Sequence, residues 1–388
     1  MSDCAATGAV SLTNEQKLRK ENTTMEEKLV KTCLHDRHVK LGALMSPFGG
    51  FDMPIQYKGI TEEHNAVRQE VGVFDVSHMG EVRIKGPEAY KYVSHIFVND
   101  VTGAPDGQIF YGMMCYENGG TVDDLLVYKV NDEEYFLVIN AANIDKDVEW
   151  IKRNAEGFNC EVVDESPKYG EVAIQGPKAE ETVEKVLGLS VKDIPFYNFQ
   201  TFEIDGEEVI VSRTGYTGED GFEVYGPHAY IQNVWDKLME AGVQPCGLGC
   251  RDTLRFEVGL PLYGDELSDT ITPIEASLSM FVKLDKPEFI GKEALAKQKA
   301  EGVKRRIIGI ELEGTAVPRH GYPVEADGRQ IGEVTTGYKS ISTGKSVAMA
   351  MVEKPYDKLG TPVEIRIRKK TFPGKVIKKR FYEKNYKK

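Results

Sequence analysis

Cysteine is scarce in this chain: six among 388 residues, scattered at positions 4, 33, 115, 160, 246 and 250. So few thiols at such spacings do not form the disulfide framework of a small secreted domain. Only Cys246 and Cys250 fall close together, in CGLGC, with no histidine nearby. A metal centre needs more ligands than that, so both read as structural and no metal is expected. Long apolar runs are also missing, and none approaches the ~18 residues of a membrane span. No G-x-G-x-x-G follows a strand-like run, and the GKS at 344–346 lacks the upstream glycine spacing of a phosphate loop. DVSH (75–78) holds Asp, Ser and His, but catalytic triads assemble from distant segments, so their adjacency means little. Positive charge is in short supply: 49 Lys and Arg stand against 61 Asp and Glu, a net of −12. Non-specific binding to nucleic acid is therefore not expected.

What is present is a chain long enough for two or three domains. Residues 1–24 lack a signal-peptide apolar core and contain acids that transit peptides avoid. Residues 1–30 are expected to be an extension, disordered or partly helical. A reducing, cytoplasm-like compartment follows as the default, or the mitochondrial matrix in a eukaryote. Charge is unevenly spread: residues 366–388 hold 11 Lys or Arg and one acid, Glu383, while the remainder carries −22. This basic tail reads either as a solvated strand face or as a docking surface for an anionic ligand or acidic partner.

One pattern recurs three times, as IKGPEAYKYV from Ile84, IQGPKAEETV from Ile174 and VYGPHAYIQNVWDKL from Val224. Each is a β-rich stretch, then Gly-Pro, then helical spacing. Glycine supplies the sharp turn and proline suits the first helical turn, where its missing N–H would have no partner. In the third copy Ile231, Val234, Trp235 and Leu238 share one helical face. YFLVIN (135–140), EVAIQ (171–175) and EEVIVSR (207–213) are further strands. The alternation fits split βαβ units with antiparallel pairing, an α+β arrangement. After about residue 303 come RRIIGIELEG, RQIGEVTTGY, KSVAMAMVEK and TPVEIRIRKK, short strands between Gly- and Pro-containing turns. Val363, Ile365 and Ile367 alternate with Glu364, Arg366 and Arg368, as a half-buried strand requires. A small barrel or sandwich is expected there, led by a helix in the later half of 286–302.

Charge enters apolar surroundings at three places. In NGGTVDDLLVYKV (118–130), Asp124 shares a strand face with Leu126, Tyr128 and Val130, whereas Asp123 shares the other with Leu125, Val127 and Lys129. Lys129 marks the second face as the wetter one, so Asp124 is the aspartate expected to point inward. Alternatively both satisfy turn amides after Asn118-Gly119-Gly120. An inward carboxylate would need a donor or a cationic ligand. In RTGYTGEDGFEVYG (213–226) the glycines predict a tight hairpin-like turn, and Glu223 falls on the face of Tyr225, opposite Phe222 and Val224; the alternative is an exposed strand acid. In CGLGCRDTLRFEVG (246–259) helical spacing puts Arg251 and Arg255 on one side; the alternative is local pairing, for instance with Asp252.

Together these stretches resemble the T-protein (aminomethyltransferase) family of the glycine cleavage system. The matching segments are FGGFDMPIQY (48–57), GVFDVSHMGEV (72–82), NGGTVDDLLVYK (118–129), RTGYTGEDGFEV (213–224), GLGCRDTLRFEVGLPLYG (247–264), TPIEASL (272–278) and GKSVAMAMV (344–352). The likeness runs over about 31–388 in order. Phe51 stands where many members carry tryptophan, and Cys33-Leu34-His35 replaces the commoner Pro-Leu-Tyr. The resemblance implies a three-domain cloverleaf with ferredoxin-like folate-binding elements and a C-terminal β-barrel: residues 31–285 would form two interleaved folate-binding domains and 286–388 the barrel with its leading helix. It implies transfer of an aminomethyl group from the dihydrolipoyl arm of an H-protein to tetrahydrofolate, with release of ammonia. On the family pattern Asp124 is the catalytic carboxylate, Glu223 binds the pterin, Arg251 lies beside the ligand, and Tyr111, Met79 and Tyr216 line the cavity. Tyr386, in KNYKK, is set against a C-terminal tyrosine. The rivals are a folate-dependent demethylase of the same fold and a folate-binding, non-transferring iron–sulfur assembly factor. The latter group carries a K-G-C-Y-x-G-Q-E stretch, where this chain has EFIGKEAL (288–295) without cysteine.

Overall fold

The computed structural model describes residues 29–387, so the expectation for the N-terminal extension falls largely outside the described residues. Two antiparallel-rich sheets and a closed barrel carry the architecture. The first sheet orders its five strands Ile109–Cys115, Thr121–Asn131, Glu134–Ile139, Gly80–Lys85 and Glu161–Asp164. The second orders six: Phe199–Ile204, Glu207–Ser212, Gly221–Pro227, Tyr169–Gln175, Gly72–Asp75 and the short Gln244–Pro245. All neighbours pair antiparallel except the last two. The chain visits the second sheet at 72–75, crosses to the first for 80–164, and returns at 169. The fold is thus α+β, with a six-stranded closed barrel formed by strands between Arg305 and Ile377. Among the described residues no helix is long and apolar enough to cross a membrane.

Helices follow the three Gly-Pro turns, at Ala89–Ile96, Ala179–Thr182 and His228–Glu240. The prolines sit just before the helices rather than inside their first turns. Pro87 and Pro177 precede the caps Glu88 and Lys178, and Pro227 is itself the cap. The reason is a preceding turn, in which the Ala89 and Ala179 amides donate to Gly86 and Gly176 carbonyls. Gly176 has φ +133°, and a Cβ there would lie 2.5 Å from the Glu70 carbonyl oxygen, so both conformation and space demand glycine. In the longest of these helices the buried residues are Ile231, Val234, Trp235 and Leu238, the predicted stripe. Each such fully buried side chain contributes roughly 1.5–3 kcal/mol.

Each sheet has one face on helices and the other on its neighbour sheet. Val82, Leu125, Val127 and Leu137 pack on Tyr92, Val93, Trp150 and Ile151 of the helices Ala89–Ile96 and Ile144–Asn154. Phe222, Val224, Val172 and Val211 pack on the His228–Glu240 helix. The opposite faces meet in an aromatic seam of Tyr128, Phe136, Tyr169, Phe199 and Tyr225. There the Tyr128 and Tyr225 hydroxyls lie 2.8 Å apart and Tyr128 donates to Ser212 Oγ at 3.1 Å. At one end of the seam Arg83 joins the sheets, reaching Glu165 and Glu208 at 2.6 Å each. The seam opens at its other end.

In the barrel the strand Pro362–Ile367 alternates as expected, with Val363 and Ile365 inside and Glu364 and Arg366 outside. Two further barrel strands, Pro323–Ala326 and Lys370–Ile377, were not expected; in them Val324 and Ala326, and Phe372, Gly374 and Val376, are the more buried alternate positions. The barrel is locked to the rest through Arg255, in the helix Leu248–Glu257. Its buried guanidinium reaches Asp252 (2.7 Å) and Glu266 (2.9 Å) and donates to Thr336 Oγ1 (3.2 Å), while Glu266 accepts from Thr335 and Thr336. Removing one member of a buried ion pair strands the other, a loss of about 3–5 kcal/mol. Arg255→Ala is accordingly expected to lower unfolding free energy by about 3–5 kcal/mol in chemical denaturation; a change below about 1 kcal/mol would contradict this role.

Candidate active site

Where the seam opens, a cavity of about 970 Å³ is enclosed by both sheets, the helix Leu248–Glu257, the barrel strands and the C-terminal segment. Asp124, Glu223, Arg251, Tyr111, Met79, Tyr216 and Tyr386 all line it. The volume lies at the top of the range usual for small-molecule sites.

Asp124 enters from the strand Thr121–Asn131, whose turn is pinned by close contact. A Cβ on Gly120 would lie 1.8 Å from the Asp269 carbonyl oxygen, and the Thr121 hydroxyl donates to the Ile271 carbonyl at 2.8 Å. Asn118 Oδ1 accepts the Gly120 amide, so the turn does not use the aspartates. Alternation separates them as expected, but the face that carries Lys129 is the drier one, not the wetter. Asp123, Leu125 and Val127 are the drier set, with Asp123 wholly buried, and Lys129 is buried at the far end on Ala104 O and Asp132. Asp123 is structural: it accepts the Asn140 amide (2.9 Å) and the side-chain amides of Asn140 (2.9 Å) and Asn143 (2.8 Å). Asp124 faces the cavity, held by the Tyr111 hydroxyl at 2.9 Å and Asn140 Nδ2 at 3.1 Å. Burial, and then the charge of Asp123, push its pKa up to about 7, against the pull of the Tyr111 and Asn140 hydrogen bonds.

Glu223 comes from the opposing sheet, from Gly221–Pro227, and is 6% exposed. Thr214 Oγ1 donates to its Oε2 at 2.5 Å and the Tyr225 hydroxyl at 3.4 Å. Burial raises its pKa, opposed by Thr214 and the Arg251 charge. Strands 207–212 and 221–227 do pair, but the connection is the longer loop 213–220 rather than a tight turn. Its Arg213–Asp220 pair (2.7 Å) holds it shut, which lets Thr214 and Tyr216 reach the cavity.

The helical spacing of Arg251 and Arg255 splits in function. Arg255 makes the local pair with Asp252, whereas Arg251 lies over the Tyr216 ring, 4.4 Å from its centroid. Among the described residues no carboxylate lies within ion-pair distance of Arg251. Tyr216 donates to the Pro261 carbonyl. Tyr111 stands edge-on to Phe281, and Tyr386 stacks on Phe196 at 4.3 Å. The basic tail divides: Arg366 and Arg368 lie outside on the barrel, but Lys378, Lys379, Arg380 and Lys384 line the cavity.

Asn140, Tyr197 and Ser277 are among the lining residues that escaped the sequence reading. Asn140 bridges Asp123 and Asp124 from the end of a neighbouring strand, a cross-strand role with no local signature. Tyr197 and Ser277 occupy the left-handed region, at φ 61° and 62°, where strain marks positions the fold over-determines. In DVSH, Asp75 bonds His38, Thr32 and the Ser77 amide instead of His78. Glu63, Cys246 and Cys250 bring ligand-type atoms within 4.8 Å of one another. Both Glu63 oxygens already accept backbone amides, from Tyr57, Gly59 and Gly247, so this group anchors the start of the Leu248–Glu257 helix.

The family description "GCVT N-terminal domain" matches residues 34–286, and "Glycine cleavage T-protein C-terminal barrel domain" matches 305–383. The chain belongs to the glycine cleavage T-protein family. The aminomethyltransferase of Thermoanaerobacter pseudethanolicus is 49% identical, over 93% of this chain and 100% of its own. That of Caldanaerobacter subterraneus subsp. tengcongensis is 48% identical, over 93% and 98%. The crystal structure of glycine cleavage system aminomethyltransferase T from Bartonella henselae superposes with a TM-score of 0.88 at 32% identity, covering 93% of this chain and all of that one.

The raised pKa of Asp124 has a thermodynamic consequence. Its folded form binds a proton more tightly than an unfolded aspartate, so its contribution to stability falls as pH rises from about 4 to about 7. Asp124→Asn should therefore gain melting temperature relative to the native chain between pH 5 and pH 8. A difference that stays constant across that range would show that Asp124 titrates normally.

Proposed function

We propose that this chain, an aminomethyltransferase by family, takes its aminomethyl group from the dihydrolipoyl arm of an H-protein and delivers the carbon to tetrahydrofolate, releasing ammonia. The observation that carries this reading is the meeting of two carboxylates from opposed sheets, Asp124 and Glu223, in one aromatic-lined cavity with an uncommitted arginine. A carboxylate lined up with two parallel N–H donors suits the amine and ring N–H of a pterin, and Glu223 has that chemistry. The rings of Tyr111, Tyr216 and Phe281 supply flat apolar walls. Arg306, Lys378 and Lys384 set positive charge on the lining, where the glutamate end of a folate would be neutralised.

Asp124 performs the electrostatic work. During transfer the C–S bond to the lipoyl arm and the C–N bond to the departing ammonia break as the two folate nitrogens bond the carbon. The two folate N–H protons end on the thiol and on ammonia, and positive charge develops beside the reacting nitrogens. A fixed carboxylate, already oriented by Tyr111 and Asn140, stabilises that charge without reorganising, the inverse of an oxyanion hole. With a pKa raised to about 7 it also sits near the value at which a group takes or gives a proton at neutral pH. A non-transferring folate binder would need no such carboxylate, and the demethylase reading draws on no separate observation.

The decisive assay supplies aminomethylated H-protein and tetrahydrofolate and measures ammonia and methylene-folate. Asp124→Asn should fold normally and lose on the order of a hundredfold or more in turnover; near-native turnover would remove Asp124 from the mechanism. Glu223→Ala should weaken folate binding in calorimetry, and unchanged affinity would place the pterin elsewhere.

A further inference from the structure

A second buried acid, Glu171, stands in the cavity wall with one carboxyl oxygen, Oε2, unpartnered. It lies on the strand Tyr169–Gln175, paired with Tyr225, while Glu223 pairs with Ala173. The two glutamates are thus diagonal neighbours on the seam-side face, within reach of one ligand. Glu171 is 2% exposed and lines the cavity, and its Oε2 has no hydrogen-bond partner. Its backbone is fixed: the amide donates to Ser77 Oγ (2.9 Å) and the carbonyl accepts from the Ser77 hydroxyl (3.0 Å).

The groups facing Glu171 are Glu223 and Tyr225 on the same sheet, Glu81 and Tyr128 on the opposite one, and Arg251 from the helix Leu248–Glu257. Glu81 is itself buried with both oxygens unpartnered. Three carboxyls, with a single arginine near two of them, cannot all be anionic in so dry a place. Glu223 has Thr214 and Tyr225 donating to it, so it keeps the charge. Glu171 has no donor on Oε2 and remains the neutral acid. Burial and its acidic neighbours Glu223 and Glu81 raise its pKa well above the usual carboxylate range, outweighing the pull of Arg251 and of a Tyr225 hydrogen bond.

A carboxylic acid offers one donor and one acceptor side by side. A reduced pterin offers the complement on the edge beyond its exocyclic amine: N1 accepts and N8–H donates. We propose that Glu171, as the neutral acid, reads the N1/N8–H edge of the reduced pterin while Glu223 reads the amine and N3–H. This makes Glu171 a determinant of specificity for reduced over oxidised folate, since N8 of folic acid bears no hydrogen. The inference rests on the folate reading given above.

Calorimetry with 5-formyltetrahydrofolate and with folic acid tests it on the full-length chain, comparing native protein with Glu171→Leu, Glu171→Gln and Glu223→Ala. Glu171→Leu should weaken the reduced ligand about tenfold or more and weaken folic acid, which offers N1 but no N8–H, distinctly less. Glu171→Gln keeps a donor and an acceptor and should bind the reduced ligand within about threefold of native. Glu171→Leu should not lower the melting temperature, because it removes an unpaired buried polar group; that separates loss of binding from loss of fold. If Glu171→Leu binds like native while Glu223→Ala is weakened, the pterin is present but Glu171 does not read it. If Gln fails as Leu does, the neutral donor–acceptor role is wrong. If the native chain binds no reduced folate, the functional reading itself falls, and this proposal with it.

Discussion

Two sheets must bury aromatic faces against each other, and the Tyr128–Tyr225 contact at 2.8 Å is the centre of that seam. Helices cover the outer faces, so each central strand is apolar on both sides. A seam of this kind excludes water along its length and ends abruptly where the sheets diverge. Any side chain on the seam face near that end is delivered into a dry cavity with fixed backbone geometry. Asp124 and Glu223 occupy such positions, one on each sheet, and their separation is therefore set by sheet packing rather than by loop conformation.

The barrel completes the enclosure. Its attachment runs through Arg255, Glu266 and the paired threonines 335 and 336. A second attachment is the C-terminal segment, where the Phe381 and Tyr382 amides donate to the Glu257 carbonyl and the Asn385 amide to Gly218. That path carries Tyr386 to the cavity beside Phe196. The last residues thus wall the site through contacts with the helix and loop that also present Arg251 and Tyr216.

Legibility in the sequence followed water. The barrel strand with Val363 and Ile365 inside and Glu364 outside has one wet face, so its period of two is visible. The helix His228–Glu240 likewise shows its stripe. The central strands do not, because a strand buried on both faces reads as a continuous apolar run. This is why Lys129 misled: it is a buried lysine satisfied by Ala104 O and Asp132, and says nothing of solvent on its face. Strand parity still assigned Asp124 and Asp123 to opposite sides, which needs only pleat geometry. What parity cannot supply is which residues come from elsewhere. Asn140 acts across a ladder, and Tyr197 through a left-handed backbone, neither of which a local pattern encodes.

The seam also explains the charge state of the site. Glu81, Asp124, Glu171 and Glu223 are all on inward faces, whereas Arg83, the seam's other arginine, is engaged by Glu134, Glu165 and Glu208 at the opposite end. Arg251 is left as the cation near two of these acids, as its effects on Glu171 and Glu223 indicate. Burial without counter-charge drives carboxyls to hold protons, and it raises the pKa of Asp124 to about 7. A cation arriving in the cavity would favour the ionised form of the nearest carboxyl, so the wall becomes negative where positive charge appears. The same excess of buried acid that weakens the fold at high pH is what makes the cavity hospitable to a reaction that develops positive charge.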